Sequence, residues 1–264
     1  MNSESRTVDK KSSSNVQRAA EILLSLGAAG PAGMSLAALS GATGDAKAAV
    51  HRALVALANF GFVDQPGRRG NYRLGPAIYA LANRSVSVQE MIGLFRPALI
   101  SITAETGLST FLMARAGLDS VCLDFQTGAM NVQPFVDGVG GRLPLGVGLA
   151  GVCVLAMMEA SARERVLEIN APRMESWGVT PDQVRAEIAD YHRLGYVIGT
   201  RQTMAGANLT ISVPAEMPQL FNNEAAISLL APAGGLSEAQ IAETVAVIRR
   251  HIGSVIEMRR GAGL

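Results

Sequence analysis

The sequence predicts an α+β chain with two domains, a small helical domain followed by a larger domain that mixes strands and helices. The first observation behind this prediction is the order of elements in residues 15–76, where three helical segments precede a hairpin. The second is a change in residue pattern at Ser109, after which β-type runs alternate with helical segments. With 264 residues, 48% of them hydrophobic, the chain can bury the core that each domain needs.

The first helix is predicted by apolar residues that recur at helical spacing. Val16, Ala20, Leu23 and Leu24 follow the i, i+4, i+7, i+8 pattern, so we expect them to form its buried face. The helix should end near Gly27, because a turn-rich segment follows.

The second and third helices are predicted from their end signals. Ser35 is a typical N-cap for a short helix over residues 36–40. Asp45 is expected to cap the third helix, which continues to about Phe60 and ends at Gly61. On a helical wheel the apolar positions of this helix form one face, which should pack on the first two helices. These positions are Ala46, Val50, Ala53, Leu54 and Leu57.

A hairpin completes the first domain. Phe62 and Val63 form its first predicted strand, residues 72–74 its second, and residues 65–71 its loop. Helix, helix-turn-helix and hairpin in this order define a winged helix-turn-helix domain. We expect the chain to divide into a disordered basic tail over residues 1–14, the winged helix-turn-helix domain over 15–76, a linker helix over 77–95 and the second domain over 96–264.

Helices and strands are both predicted beyond the hairpin. Helices are expected over residues 76–82 and 88–105, and Pro97 could kink or break the second one. Strands are expected over residues 109–116, 120–125, 196–198, 209–213 and 225–230, with 132–136 as a further candidate. Further helices are expected over residues 148–159, 162–169, 181–194 and 238–259, the last two opened by capping residues at Thr180 and Ser237.

Charge is unevenly distributed along the chain. Residues 1–84 contain 10 Lys and Arg against 5 Asp and Glu, whereas the remainder contains 13 against 17. A basic front on a mildly acidic body suits a protein that presents one end to a polyanion, although ordinary variation in charge could produce it too. Cys122 and Cys153 are too few for a disulfide framework, and the polar N-terminus lacks the apolar segment of a signal peptide. We therefore expect a cytoplasmic protein without membrane contact.

The third helix and the hairpin carry the residues expected to meet nucleic acid. The N-terminal part of such a helix reads base edges in the major groove, and here it presents Lys47, Ala48, Ala49, His51 and Arg52. Arg52 could pair with a guanine, either alanine could touch a thymine methyl, and Lys47 suits a phosphate, whereas His51 could equally be a packing residue. At the tip of the hairpin, Arg68 and Arg69 could reach the DNA backbone or minor groove. Arg18, Tyr72 and Arg73 complete the candidate set.

Several motifs carry a resemblance to a known family. They are residues 16–23, residues 42–44 followed by Lys47, Val50, His51, Arg52 and Leu54, residues 61–63 and 72–76, and residues 141–145 followed by Gly151, Leu155 and Ala156. Together they resemble the IclR family of bacterial transcription regulators, over nearly the whole chain from Val16. The resemblance implies a domain that binds a double-stranded DNA operator, a linker helix and a GAF-like domain that binds a small-molecule effector. It also implies a homodimer or a dimer of dimers.

The chain departs from the family pattern at the start of the third helix. The family usually has a Ser-Thr pair where this chain has Ala48 and Ala49, and a proline where it has Ala46. Two hydroxyl donors are therefore missing from the turn that should face DNA, and recognition should depend on the basic residues of the helix and the wing.

Residues 146–151 match the dinucleotide fingerprint G-x-G-x-x-G. A dinucleotide fold needs a sound strand before the fingerprint, but Pro144 would interrupt a central strand. An NAD-linked enzyme is therefore only an alternative. Glycines before a helix could instead leave backbone N–H groups for an anionic ligand, or simply allow close packing of helix on sheet.

The resemblance also implies where an effector would bind. The loop before the helix at residues 148–159 and two later strands should line its pocket, with Leu143, Leu145, Gly146, Gly148, Arg201, Asn208, Thr210, Ser228 and Leu230 as candidates. Val152 stands where the family usually has a lysine, and Leu230 replaces a serine. An organic acid is the expected effector, more apolar than a small oxo-acid. Arg201 is the nearest candidate cation for a carboxylate, although a solvated surface arginine is the simpler expectation.

The sequence contains no recognisable catalytic set. It has three histidines, no zinc-ligand spacing, and neither a G-x-S-x-G motif nor a phosphate-binding Walker loop. Cys153 lies in an apolar helix and is expected to be an inert core thiol. We therefore expect a ligand-responsive regulator without catalytic residues, cofactor or metal, with a small-molecule-binding module of little DNA affinity as the alternative.

Overall fold

The computed structural model describes residues 14–67, 70–130, 132, 134–136, 138–203, 206–215 and 224–261. The predicted tail, apart from Ser14, and the wing residues Arg68 and Arg69 lie outside these ranges. The chain divides into two compact units between Ser85 and Val86.

The first unit has the predicted order of helices and hairpin. Its elements are α1 (Ser14–Ala29), a short 3-10 helix (Gly30–Ala32), α2 (Leu36–Thr43), α3 (Lys47–Asn59), β1 (Val63–Asp64), β2 (Arg73–Leu74) and α4 (Pro76–Ala82). Strands β1 and β2 pair antiparallel, with Val63 opposite Leu74. This arrangement confirms the winged helix-turn-helix fold.

The core of the first unit lies between its helices and the wing. Side chains from α1, α2, α3 and β1 form it, namely Ile22, Leu26, Leu39, Val50, Leu54, Leu57 and Val63. The predicted core face of α3 is therefore correct at its three large positions, while Ala46 lies exposed before the helix. The predicted buried face of α1 is wrong, because Val16 and Leu24 are 69% and 45% exposed. Residues two apart on a helix point in nearly opposite directions, so Leu24 cannot share the buried side of Ile22 and Leu26.

The two predicted N-caps have different outcomes. Ser35 caps α2 as expected, since its hydroxyl accepts from the Ala38 amide at 3.2 Å. Asp45 does not cap α3, so that prediction is wrong; the N-cap position belongs to Ala46, which has no side-chain acceptor. The Asp45 carboxylate instead accepts from Arg18 Nε at 2.6 Å and Nη2 at 3.0 Å. A charged, two-point hydrogen bond to a guanidinium is stronger than one to a neutral amide.

The wing is fastened to the helices by a close backbone contact. Met34 and Tyr72 exchange backbone hydrogen bonds of 2.9 and 2.8 Å. Gly33 allows this approach, since its φ is +63° and a Cβ there would lie 2.2 Å from the Tyr72 carbonyl oxygen. The base of the wing is therefore held in register with the segment before α2.

The second unit is an α+β domain built on one sheet. Its elements are α5 (Val86–Thr106), β3 (Ser109–Ala116), β4 (Asp119–Gln126), β5 (Arg142–Pro144), α6 (Leu149–Met157), α7 (Ala160–Glu175), α8 (Pro181–Leu194), β6 (Val197–Thr203), β7 (Gly206–Pro214), β8 (Ala225–Pro232) and α9 (Glu238–Gly261). The six strands lie in the order β5-β4-β3-β8-β7-β6. Each neighbouring pair is antiparallel. This confirms the predicted α+β class.

Helices cover both faces of the sheet. Helices α5 and α9 pack on one face, where Leu112 of β3 and Ile227 of β8 are buried. The opposite face receives α6, whose residues 149–156 are all buried, and α6 packs in turn on α8. Because side chains alternate along a strand, Phe111 and Ser228 point to this second face.

Three further differences from the prediction lie beyond the hairpin. Residues 132 and 134–136 do not form a strand, whereas β5 at residues 142–144 does. Its proline is tolerated because β5 is an edge strand. The expected linker helix, residues 77–95, is divided between α4 and α5 with residues 83–85 between them, and α5 continues through Pro97 without a break. The limits assigned to the four segments otherwise stay predictions.

No helix in the described ranges combines the length and the apolar character that crossing a membrane requires.

We predict that Asp45→Asn makes the chain less sensitive to acid. The Arg18 guanidinium, hydrogen-bonded to Asp45, lowers the pKa of that carboxyl below its ordinary value. A lowered folded-state pKa stabilises the fold above about pH 4 and loses this effect as the pH falls through the folded-state pKa. Urea unfolding between pH 6 and pH 3, followed by circular dichroism, should show a smaller loss of stability for the variant. Asp64→Asn, at an exposed position on β1, is the matched control; an unchanged pH profile for D45N would contradict the prediction.

Candidate nucleic-acid interface and ligand cavity

The predicted reading face is exposed on α3. Lys47, Ala48, His51 and Arg52 are exposed and Ala49 is half-buried. The buried residues of α3, Val50, Leu54 and Leu57, pack the helix against α1 and α2. The structure therefore brings the five predicted residues together on the outer side of the first half of α3.

The start of α3 also offers backbone donors. Its N-cap, Ala46, has no side chain that can accept a hydrogen bond, so the first amides of the helix have no cap. Uncapped amides at a helix N-terminus, together with the helix dipole, favour a phosphate. Because Asp45 does not cap α3, the N-terminal end of this helix is suited to bind an anion.

Arg18 has a structural role that the sequence did not reveal. Its side chain is 15% exposed and donates to Asp45 and, through Nη1 at 2.8 Å, to Asn15 Oδ1. The Ser40 hydroxyl also donates to the Asp45 carbonyl oxygen at 2.6 Å. Arg18 therefore fixes the turn before α3, which argues against a direct contact between Arg18 and DNA.

The wing contributes two predicted residues within the described ranges. Arg73 is exposed on β2, whereas Tyr72 is half-buried and held by its backbone bonds to Met34. Tyr72 therefore supports the wing more than it presents a free side chain.

The second unit contains a small cavity between its sheet and α6. The cavity has a volume of about 50 Å³. Its wall includes six of the predicted effector-binding residues, namely Leu143, Gly148, Arg201, Thr210, Ser228 and Leu230. The sequence reading missed the remainder of the wall, which consists of Phe111, Met113, Pro134, Phe135, Val136, Leu149 and Ala150. The alternation of side chains along β3 could have indicated Phe111 and Met113.

Three predicted residues do not line the cavity. Leu145 is fully buried in the surrounding core, and Asn208 is buried opposite Arg201 in the β6–β7 register. Gly146 packs against α7, where a Cβ would lie 3.0 Å from Met174 Sδ. These three residues therefore lie next to the cavity without lining it.

The glycine-rich segment serves close packing. A Cβ on Gly151 would lie 3.2 Å from the Gly146 amide nitrogen, so α6 starts against the loop that precedes it. The segment follows β5, a three-residue edge strand of an antiparallel sheet. A dinucleotide fold needs parallel strands at this point, so the dinucleotide-binding alternative is wrong.

Side chains next to the cavity hold the loop before α6 in place. Asn170 Nδ2 donates to the carbonyl oxygens of Leu118 at 2.7 Å and Leu145 at 3.2 Å. Asp119 forms ion pairs with Arg142 and with Arg173, at 2.9 and 2.7 Å. The loop before α6 is thus tied both to α7 and to the β3–β4 turn.

Arg201 is not the solvated surface residue expected from the sequence. Its side chain is 6% exposed, and Nη1 and Nη2 each donate to a Glu187 carboxylate oxygen at 2.7 Å. Nε donates to the Val147 carbonyl oxygen at 2.8 Å. The expectation failed because β6 turns this side chain toward the cavity face, where α8 supplies the carboxylate.

Aromatic residues connect the cavity wall to the surface. Phe111 and Phe125 stack with ring centroids 5.8 Å apart. Phe135 meets the edge of Trp177 at 6.1 Å. Trp177 is the only tryptophan of the chain and is 46% exposed. Because it contacts Phe135 of the cavity wall, its emission can report changes at the cavity.

The chemistry of the two thiols follows from their burial. Burial raises the pKa of the Cys122 thiol to about 12, with a contribution from the nearby Asp124 carboxylate. Cys153 is buried within α6. A protonated, enclosed thiol is a poor nucleophile. Among the described residues, no cluster of three His, Cys, Asp or Glu side chains is arranged to hold a metal ion.

The fold and these two sites define a winged helix-turn-helix protein with a separate cavity-bearing α+β domain. Residues 15–67 match the IclR helix-turn-helix domain. The transcriptional regulator TtgV of Pseudomonas putida is 30% identical over 61% of this chain and 61% of its own length, so the match spans about three fifths of that relative. The transcriptional repressor IclR of Escherichia coli is 20% identical over 81% of this chain and 79% of its own.

Solved structures show the same fold. A putative IclR transcriptional regulator from a Silicibacter species is 26% identical, with a TM-score of 0.72 over 92% of this chain and 95% of its own. An IclR homolog from Microbacterium hydrocarbonoxydans, solved with 4-hydroxybenzoate, is 22% identical, with a TM-score of 0.68 over 91% of this chain and 100% of its own. Residues 15–67 therefore match the IclR type of helix-turn-helix domain, and the chain as a whole is similar to regulators of the IclR family.

We predict that neither cysteine reacts with Ellman's reagent in the folded chain at pH 8. The raised pKa of Cys122 keeps its thiol protonated there, and burial blocks access to both sulfurs. In guanidinium chloride both thiols should react rapidly, which provides the control. The single variant Cys122→Ser assigns any residual reaction to Cys153, and fast labelling of the folded chain would contradict the prediction.

Proposed function

We propose that this chain binds double-stranded operator DNA through α3 and the wing, and that a small organic molecule in the cavity modulates this binding. The observation that carries the first part is the exposed basic face on the first half of α3. Its neighbours support it, since three buried side chains of α3 fix the helix in a core that Val63 of the wing also joins.

The Arg18–Asp45 pair keeps this face basic. Asp45 lies two residues before Lys47, and an unpaired carboxylate there would repel phosphate. Because Arg18 neutralises it, the net charge near the start of α3 comes from Lys47, Arg52 and the helix dipole.

Base recognition falls mainly to Arg52. Ala48 and Ala49 can offer methyl groups to thymine but no hydrogen bond. Arg52 is exposed one helical turn further along and can reach a guanine edge, whereas Lys47 at the first position suits a phosphate.

We predict different effects of Arg52→Ala and Lys47→Ala on DNA affinity. Loss of a guanine contact should cost about 1–3 kcal/mol on specific DNA and little on random DNA. Loss of a phosphate contact should weaken binding to both and reduce the salt dependence. Fluorescence anisotropy with a duplex selected from a random pool, measured at two salt concentrations, separates the two outcomes.

The control for this experiment is Arg84→Ala, an exposed arginine outside the reading face. Equal losses on specific and random DNA for R52A would make Arg52 a phosphate contact. Failure to select any duplex would contradict DNA binding. It would favour the alternative of a ligand-binding module with little DNA affinity, an alternative consistent with the missing hydroxyls at Ala48 and Ala49.

The cavity supports the second part of the proposal. Its wall is largely apolar, and Thr210, Ser228 and Arg201 supply the polar groups, as in typical small-molecule sites. Its volume of about 50 Å³ is smaller than the ~150 Å³ of an engineered cavity that binds benzene, so a ring-sized effector needs the wall to move apart. The 4-hydroxybenzoate complex of the Microbacterium homolog supports an effector of this size. The organic acid expected from the sequence, the GAF-like label and self-association stay predictions.

We predict that a ring-sized effector changes the emission of Trp177. Phe135 lines the cavity and contacts Trp177, so displacement of Phe135 alters the surroundings of the indole. Titration with small phenols and aromatic acids should give a saturable change. Thr210→Phe fills the cavity and should abolish the change, whereas Thr200→Phe, at an exposed position on β6, should retain it. An equal response from both variants would place the ligand elsewhere.

A further inference from the structure

Arg201 and Glu187 form an ion pair at the cavity wall that the proposed function leaves unused. The side chains are 6% and 15% exposed, so the pair is nearly removed from water. Among the described residues of the wall, Arg201 is the only charged side chain. The charge that an effector meets at the wall therefore depends on this pair.

The donors of Arg201 are almost fully used. Nε donates to Val147, Nη1 donates to Glu187 and, at 3.4 Å, to the Thr200 carbonyl oxygen, and Nη2 donates to Glu187. Of the five N–H groups of a guanidinium, the contacts within the described ranges then leave one, on Nη2, for a ligand. A ligand carboxylate, which needs two donors for a bidentate contact, cannot obtain them from Arg201.

The Glu187 carboxylate would also repel the carboxylate of a ligand. A carboxylate brought to the free side of Arg201 would lie near the Glu187 carboxylate in an apolar wall, where like charges interact strongly. It would also lose its hydration without a free cation in return. The hydroxyl of Ser228 is itself hydrogen-bonded to that of Ser212 at 2.6 Å, so it adds only a neutral contact.

The amides at the start of α6 do not reverse this balance. Gly148 is the N-cap and supplies no side-chain acceptor, so amides of the first turn can donate toward the cavity. They can donate to the oxygen of an alcohol, a phenol or a carbonyl group as well as to a carboxylate. A full negative charge is therefore not required for binding there.

We infer that the Glu187–Arg201 ion pair makes the cavity select an uncharged aromatic effector bearing a hydroxyl group over the corresponding carboxylate. This inference rests on the proposed effector cavity. Glu187 is a specificity-determining residue in this view, since it occupies Arg201 as an internal carboxylate and keeps a ligand carboxylate out.

The test compares matched ligands that differ only in charge. Calorimetric titration of the full chain at pH 7 uses two pairs, benzyl alcohol with benzoate and 4-hydroxybenzyl alcohol with 4-hydroxybenzoate. In the unchanged chain each alcohol should bind about tenfold or more tightly than its acid. A preference for the acids would overturn the inference and leave the proposed function standing.

The decisive variant is Glu187→Gln. It keeps an acceptor oxygen for Arg201 but removes the negative charge, so affinity for each acid should rise about tenfold while affinity for each alcohol stays within about threefold. Glu164→Gln is the matched control, because Glu164 forms an exposed ion pair with Arg185. An E187Q chain that still excludes both acids would overturn the inference.

A double variant controls for loss of folding in E187Q, where the Arg201 guanidinium has no counter-charge. E187Q/R201Q removes both charges and should keep the preference for the alcohols without the gain in acid binding. A gain in acid binding by the double variant would contradict the role given to Arg201. Binding of neither compound of either pair, with unchanged Trp177 emission, would overturn both the inference and the effector part of the proposed function.

Discussion

The alternation of side chains along the central strands of the antiparallel sheet is the constraint on which the second domain depends. On β8, Ile227 and its odd-numbered neighbours are buried beneath α5 and α9, while Ser228 and Leu230 face α6. The first face is filled by apolar contacts. The second is filled except at the cavity, where hydroxyls and one arginine interrupt the apolar surface. A shift of one residue in the register would exchange these two faces, so core and cavity are specified together.

Both domains use an arginine–carboxylate pair to hold the segment that precedes an important helix. Arg18 binds Asp45 in the turn before α3, and Arg201 binds Glu187 while donating to Val147 in the loop before α6. In each case a planar guanidinium joins segments that are far apart in the sequence. Both helices then begin without a side-chain cap, so their first amides are held in place and remain able to donate.

Local signals in the sequence predicted most of the fold. Ser35 and the core face of α3 are set by neighbours within one or two helical turns, and the structure confirms them. Failures arose where a distant partner decides the outcome. The local sequence makes Asp45 a good cap, but the fold pairs Asp45 with Arg18. Likewise Arg201 resembles a surface residue in the sequence, but the fold pairs it with Glu187 of α8. The cavity wall was found in part, because its loop and strands resemble a family, but residues from β3 join it only through the sheet order.

The short strand β5 has a consequence for behaviour at high concentration. Edge strands expose unpaired backbone groups that can join sheets of neighbouring molecules into aggregates, and proteins limit this with short edges and prolines. At one edge of the sheet β5 has three residues and ends in Pro144. The other edge, β6, is seven residues long. The same proline that concealed β5 from sequence-based assignment thus blunts one side of the sheet, and association between copies by strand pairing is left to the β6 side.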